Sequence, residues 1–198
     1  MTESSVQVAA PTADATACGY HSLASTYPAA VTETSAETPV AHTASRLLES
    51  RHGRELQRYD GATRLLACAV VMRTLETTHE DQVLVISSSK HTHEWILPKG
   101  GWESDETLVE CALREVEEEA GIDGRIVGEL GTVDFSSRQG KKCRFYGFRV
   151  SARQEFSKWA ESDRQRKWVS VDEGKRLLSH RPELLVMLAR AEMVAGPY

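Results

Sequence analysis

The sequence predicts an α/β domain in which a mixed β-sheet lies between helices. Three observations carry this. Apolar, β-branched runs and stretches of helical period interleave along the chain. They do so without the regular strand–helix–strand alternation of an all-parallel sheet, and no internal repeat is visible. The 198 residues are 27% charged and 40% apolar, and no apolar run approaches the ~18–20 residues that a membrane-spanning helix needs.

Taken in order, residues 1–45 are rich in Ala, Thr and Ser and have neither strand nor helix period. They are expected to form a disordered tail, because they cannot bury enough apolar surface to offset the entropy of ordering. The folded domain is assigned to residues 46–198. Its first strands are expected at Arg64–Arg73 and Gln82–Ser88, a pair joined by a polar loop. Trp95-Ile96-Leu97 is a third short strand, stopped by Pro98 and turned by Gly100-Gly101. A helix follows from about Ser104, the expected N-cap, to Ala120, with Gly121 as the residue after its C-terminus. Its apolar positions Leu108, Cys111, Ala112 and Val116 recur at three- and four-residue steps and mark one buried face. Arg125–Phe135 and Cys143–Ser151 are longer strands, and Lys167–Val171 is a short one. Asp172 is the expected cap of a helix through Ser179. Pro182 opens a last helix that carries Leu184, Leu185, Leu188 and Ala191 on one face.

The net charge is −5, yet residues 1–45 hold four acids and no Lys or Arg, so all 24 basic residues lie from Arg46 onward. The remainder is nearly neutral, which gives no reason to expect a stable nucleic-acid partner. Cys18, Cys68, Cys111 and Cys143 are scattered without metal-type spacing, which favours a reducing compartment. No secretory signal or arginine-bearing presequence is visible at the N-terminus. The expected location is the cytoplasm, with the nucleus as the other candidate, and no motif speaks to oligomeric state.

The densest functional signal runs from Gly100 to Ile122. Five residues separate Gly100 from Glu106, and seven more lead to Arg114-Glu115-Val116; Glu118-Glu119 and Gly121-Ile122 follow, each after one residue. On a helix, Glu115, Glu118 and Glu119 share a face, with Glu115 one turn below Glu119. Such a run is often just a solvated helix face, and Glu110 and Glu117 are read that way. Three converging carboxylates, however, repel one another unless a cation sits among them. Hard oxygen donors at this density suit Mg²⁺ or Mn²⁺, which also bind phosphate oxygens. Such an ion lowers the pKa of a bound water, and a nearby carboxylate can take the proton. The chemistry indicated is hydrolysis of a phosphoanhydride.

The spacing resembles the Nudix box, with every specified position occupied. The resemblance implies an α/β/α sandwich around a mixed sheet. It makes Glu115 and Glu119 metal ligands and Glu118 a further ligand or the catalytic base. Arg114 would be structural, Glu106 would brace the loop, and Gly121 would close the box. The flanks resemble the diphosphoinositol polyphosphate phosphohydrolases, the fungal branch in particular. They comprise residues 50–59 (SRHGRELQRY), Ser87–His91, Trp95–Gly101, Leu130–Val133, Arg164–Trp168 and Arg181–Leu185. That family releases the β-phosphate of inositol pyrophosphates, cuts diadenosine polyphosphates and in some members cuts polyphosphate.

A polyphosphorylated ligand needs several fixed cations and N–H donors. The substrate-binding candidates are Arg64, Ser88, Ser89, Lys90, Lys99, Gly100, Gly101, Lys142, Arg144 and Arg166, with Lys141, Arg164 and Lys167 as further cations. The chain departs from animal members in having Arg64 followed by Leu65-Leu66, and Lys142 or Arg144 where many have a His. His91 and His93 are read as solvated. Two other readings stay open: a dinucleoside-polyphosphate hydrolase with Trp102 or Tyr146 stacking a base, and a non-catalytic module that binds inositol pyrophosphates or RNA.

Overall fold

The computed structural model describes residues 45, 47–51 and 53–194. By internal contacts the chain divides into Met1–Thr38 and Pro39–Tyr198, and every described residue belongs to the second unit. The expected disordered tail therefore lies outside the described residues, except for Ser45. Ser45 is buried, and its N–H donates to the Lys158 carbonyl at 3.0 Å.

The elements are β1 (Tyr59–Asp60), β2 (Thr63–Thr74), β3 (Asp81–Ser87), β4 (Trp95–Ile96), β5 (Lys99–Gly101), α1 (Leu108–Ala120), β6 (Ile122–Ser136), β7 (Lys142–Glu155), β8 (Arg166–Ser170), α2 (Val171–Leu177) and α3 (Pro182–Met193). The expected mixed sheet is present. β2 runs parallel to β7, from Arg64↔Cys143 to Met72↔Ser151. The other pairings are antiparallel, including the long β6–β7 hairpin. Helices cover the sheet as an α/β/α sandwich, which is why Phe145, Phe148 and Val150 on both sides of β7 are buried and its alternation does not separate a wet face.

Sharing of the edges of β2 and β3 positions the site. β7 occupies one edge of β2 throughout, so the other edge must carry β3, β5 and β1 in turn: β3 at Met72–Thr74, β5 at Leu66–Cys68 and β1 at Thr63–Arg64. β3 likewise gives one edge to β8 and the other first to β2 and then to β4. β2 and β3 therefore touch only near the turn that joins them and then splay apart. β4, Pro98 and β5 fill the wedge, and α1 packs on β2, β5 and β6 beside it.

Several boundaries depart from expectation. Lys99–Gly101 is a strand, not a turn: its backbone pairs with β2, and two glycines without side chains give no β-propensity signal. The N-cap of α1 is Thr107, not Ser104. Thr107 accepts from the Glu110 N–H at 3.2 Å while Glu110 accepts from the Thr107 N–H at 2.7 Å, the reciprocal arrangement that fixes a helix start. Glu110 is thus part of a cap. Glu117 is no solvated acid either, since it accepts from the Ser45 hydroxyl at 2.6 Å. Ser170, not Asp172, caps α2 through the Glu173 N–H. Gly121 takes the left-handed conformation (φ 62°) at the end of α1, as expected, and Pro182 opens α3.

Candidate active site

α1 delivers its carboxylates into the wedge. Glu115 and Glu119, four residues apart, both line a cavity of about 330 Å³ with Lys99, Gly100, Gly101 and Arg114. A second cavity of about 920 Å³ adjoins it, since Arg64, Lys99, Glu119 and Arg181 line both. Gly100 leaves room for Glu115 against β5: a Cβ there would lie 2.0 Å from Glu115 Oε1, so a side chain at this position would displace the carboxylate.

Arg114 is the hub beneath. It donates from Nε and Nη2 to the two Glu106 oxygens, each at 2.8 Å, and from Nη2 to the Gly101 carbonyl at 3.1 Å. Its Nη1 bridges Glu115 (2.8 Å) and Glu118 (3.2 Å). Burial works against the Arg114 charge, but Glu106 and Glu115 outweigh it and raise its pKa. Burial likewise acts to raise Glu106, yet the Arg114 bonds and the Glu103 N–H hold its carboxyl below the ordinary range. Glu106 and Arg114 thus pair fork to fork, a contact that fixes the loop before α1.

Burial, reinforced by Glu119, pushes the Glu115 carboxyl up to about 8. Burial also raises Glu118. Glu119 accepts from the Lys99 N–H and from Arg164 Nη2, both at 2.8 Å. Glu118 differs from its neighbours: held by Arg114 and by the Arg51 backbone, it lines neither cavity. Among the described residues no three acidic, His or Cys side chains stand ready to enclose an ion; Arg114, Arg164 and the Lys99 N–H engage oxygens of Glu115, Glu118 and Glu119. The donor chemistry nonetheless fits a divalent cation. Glu115 and Glu119 bring hard oxygens to one cavity, and Glu119 acts with burial against ionisation of Glu115, which a cation between them would favour.

Of the substrate-binding candidates, Ser88, Ser89, Lys90 and Lys142 line the larger cavity, Gly100 and Gly101 the smaller, and Arg64 and Lys99 both. Arg64 is held from Nε by Gln57 Oε1 at 2.7 Å. Two candidates lie elsewhere. Arg144 is engaged by Asp134 (2.6 Å) and Asp60 (3.1 Å). Arg166 donates to the carbonyls of Ala120, Gly121 and Phe156 and stacks 4.2 Å over Trp159, so its donors secure the end of α1. Arg164, expected only as a further cation, is buried and braces Glu119. Sequence reasoning did not single out Arg51, Arg54, Gln57, Arg138 or Arg181, which also line these cavities. The available signal was the family resemblance of residues 50–59 and 181–185, in which four of the five lie. Trp102 and Tyr146 pack edge-on at 5.8 Å, with Arg58 over Trp102, and line neither cavity.

The mixed sheet splays around a glutamate-bearing helix and opens on a cation-lined cleft, an arrangement suited to linked phosphates. A family model, the NUDIX domain, matches residues 63–190, and the chain belongs to the Nudix family. Nudix hydrolase 13, mitochondrial, of Arabidopsis thaliana is 37% identical over 151 residues, covering 66% of this chain and 74% of the relative. Diphosphoinositol polyphosphate phosphohydrolase 3-alpha of Mus musculus is 34% identical over 122 residues, covering 60% of this chain and 73% of the relative. Among solved structures, a C. elegans Ap4A hydrolase binary complex matches with a TM-score of 0.53 at 20% identity, covering 65% of this chain and 95% of that one; the likeness is one of fold. The chain is a Nudix hydrolase of pyrophosphate-bearing substrates, a family that generally uses divalent cations.

Proposed function

We propose that the protein hydrolyses diphosphoinositol polyphosphates in a Mg²⁺-dependent reaction, releasing the β-phosphate, and cuts diadenosine polyphosphates as a secondary activity. The observation that carries this is the charge of the larger cavity. Arg54, Arg64, Lys90, Lys99, Lys141 and Lys142 line it without an ion pair among the described residues, whereas its acids Glu119 and Glu183 are each paired with an arginine. A single diphosphate does not need so many cations; a ring bearing phosphates on most carbons does. The likeness to the mouse diphosphoinositol polyphosphate phosphohydrolase supports the same substrate class. The fungal-branch assignment is part of this proposal, resting on the flanking motifs.

Glu115 and Glu119 would hold the metal, with Mn²⁺ able to replace Mg²⁺. When bound, the ion neutralises pyrophosphate charge and acidifies a water. The protein does the rest. Lys99 and Arg64 orient the phosphates, Gly100 and Gly101 let the backbone approach them, and Arg114 fixes Glu115 in place. Glu118 is the proposed proton acceptor on the resemblance of the box; because it lines neither cavity, it would have to turn from Arg114 to reach a water beside Glu115. The test is a panel of an inositol pyrophosphate, a diadenosine polyphosphate and ADP-ribose, assayed with Mg²⁺ and with chelator. The proposal requires Mg²⁺-dependent turnover with the highest efficiency on the inositol pyrophosphate. Efficient cleavage of ADP-ribose alone would overturn it.

A further inference from the structure

Three loops wall the mouth of the larger cavity: residues 88–94 after β3, residues 137–141 between β6 and β7, and residues 178–181 before α3. Among the described residues, the side-chain bonds that join these loops to one another run through Glu94. Its two oxygens accept from Arg138 Nη2 at 2.8 and 2.9 Å, and His180 Nε2 lies 3.3 Å away. Arg138 and His180 belong to the cavity lining and Glu94 does not. The acid thus stands behind the wall and draws a cation of the wall toward itself.

We propose that Glu94 is a specificity-determining residue that keeps Arg138 parked and so sets how strongly the cavity grips highly phosphorylated ligands. The clasp is well suited to release. Arg138 is about half exposed (49%) and Glu94 a quarter (26%), and exposed ion pairs of this kind are weak. A phosphate offers the guanidinium a stronger, more highly charged acceptor than a carboxylate does. A ligand that reaches the mouth takes Arg138 from Glu94; one too small to reach it leaves the clasp shut. The loops are therefore tied together until a ligand with enough phosphates replaces the tie. The inference rests on the reading of this cavity as a polyphosphate site but not on which phosphoanhydride is hydrolysed.

The test measures binding and not turnover, so it stands apart from the substrate panel. Calorimetric titration of the full chain with inorganic tripolyphosphate, in chelator and at fixed pH and ionic strength, compares wild type, Glu94→Gln, Arg138→Gln and the double variant. The expected result is binding up to about fivefold tighter in Glu94→Gln, the scale of one exposed pair, with that gain abolished when Arg138 is also replaced. Unchanged or weaker binding in Glu94→Gln would overturn the proposal. So would a gain that survives in the Arg138→Gln background, since it would then come from His180 or from net charge and not from Arg138. Circular dichroism and thermal melting establish that each variant is folded, and Glu94→Ala provides a second variant that lacks the acid.

Discussion

Replacing Gly100 by alanine puts a methyl group where the Glu115 carboxylate now sits. The new Cβ would lie 2.0 Å from Oε1 and 2.1 Å from Oε2, so the carboxylate must retreat by about 1 Å or more. Neither partner can yield easily. Gly100 is pinned by its pairing with Ala67 of β2, and Glu115 is buried and bonded to Arg114 at 2.8 Å. A charge-assisted bond of that type contributes about 1.5–3 kcal/mol, and displacement of a reacting constellation by about 1 Å lowers rates roughly 100-fold. The expected variant is folded, with Tm lowered by several degrees, with kcat down by about two orders of magnitude and with weakened metal dependence. Steady-state kinetics over a Mg²⁺ series, alongside thermal melting, would measure both. An alanine variant with wild-type kcat and wild-type Mg²⁺ dependence would refute the inference that this glycine exists to admit Glu115.

Other outcomes follow from the same geometry. Because the Glu115 pKa is raised to about 8, the metal-free folded state binds more protons than the unfolded chain between about pH 4.5 and 8, so stability in chelator should fall as pH rises through that window; the decline should be shallower in Glu115→Gln, and equal slopes would count against it. Added Mg²⁺ should raise Tm more at pH 8 than at pH 6, as binding to an ionised Glu115 requires. Arg164→Met strands Glu119 in the interior and should cost about 3 kcal/mol or more by denaturant titration; a change below about 1 kcal/mol would show that the Lys99 N–H suffices alone. Glu118→Gln should lower kcat at least 100-fold with little change in KM if the residue takes a proton, whereas a loss of stability with kcat preserved would make it only a brace for Arg114.

The box was legible because its positions impose separate physical demands: a glycine at a close approach, a buried arginine matched to Glu106, and carboxylates one turn apart. The sheet was legible in kind, since β-rich apolar runs revealed β2 and β3, and the alternation of residues 143–151 revealed β7. What sequence could not show was the splay. β5 exists because its backbone fills the wedge, and Gly-Gly carries no trace of that. The cations divided for the same reason. Lys90, Lys99 and Lys142 fell on the cavity, while Arg144 found its hairpin neighbour Asp134 and the more distant Asp60, and Arg166 the end of α1. A positive side chain read in isolation does not disclose its partner. Nor does Arg164, whose bond to Glu119 spans 45 residues of chain.

Phosphate release from an inositol pyrophosphate, followed across a Mg²⁺ titration in wild type and in Glu115→Gln/Glu119→Gln, bears most directly on the account. Wild type should show saturable, Mg²⁺-dependent release that chelator abolishes, and the double variant should show almost none. Release that persists in chelator, or that survives loss of both carboxylates, would contradict the assignment of these glutamates as the metal-holding pair.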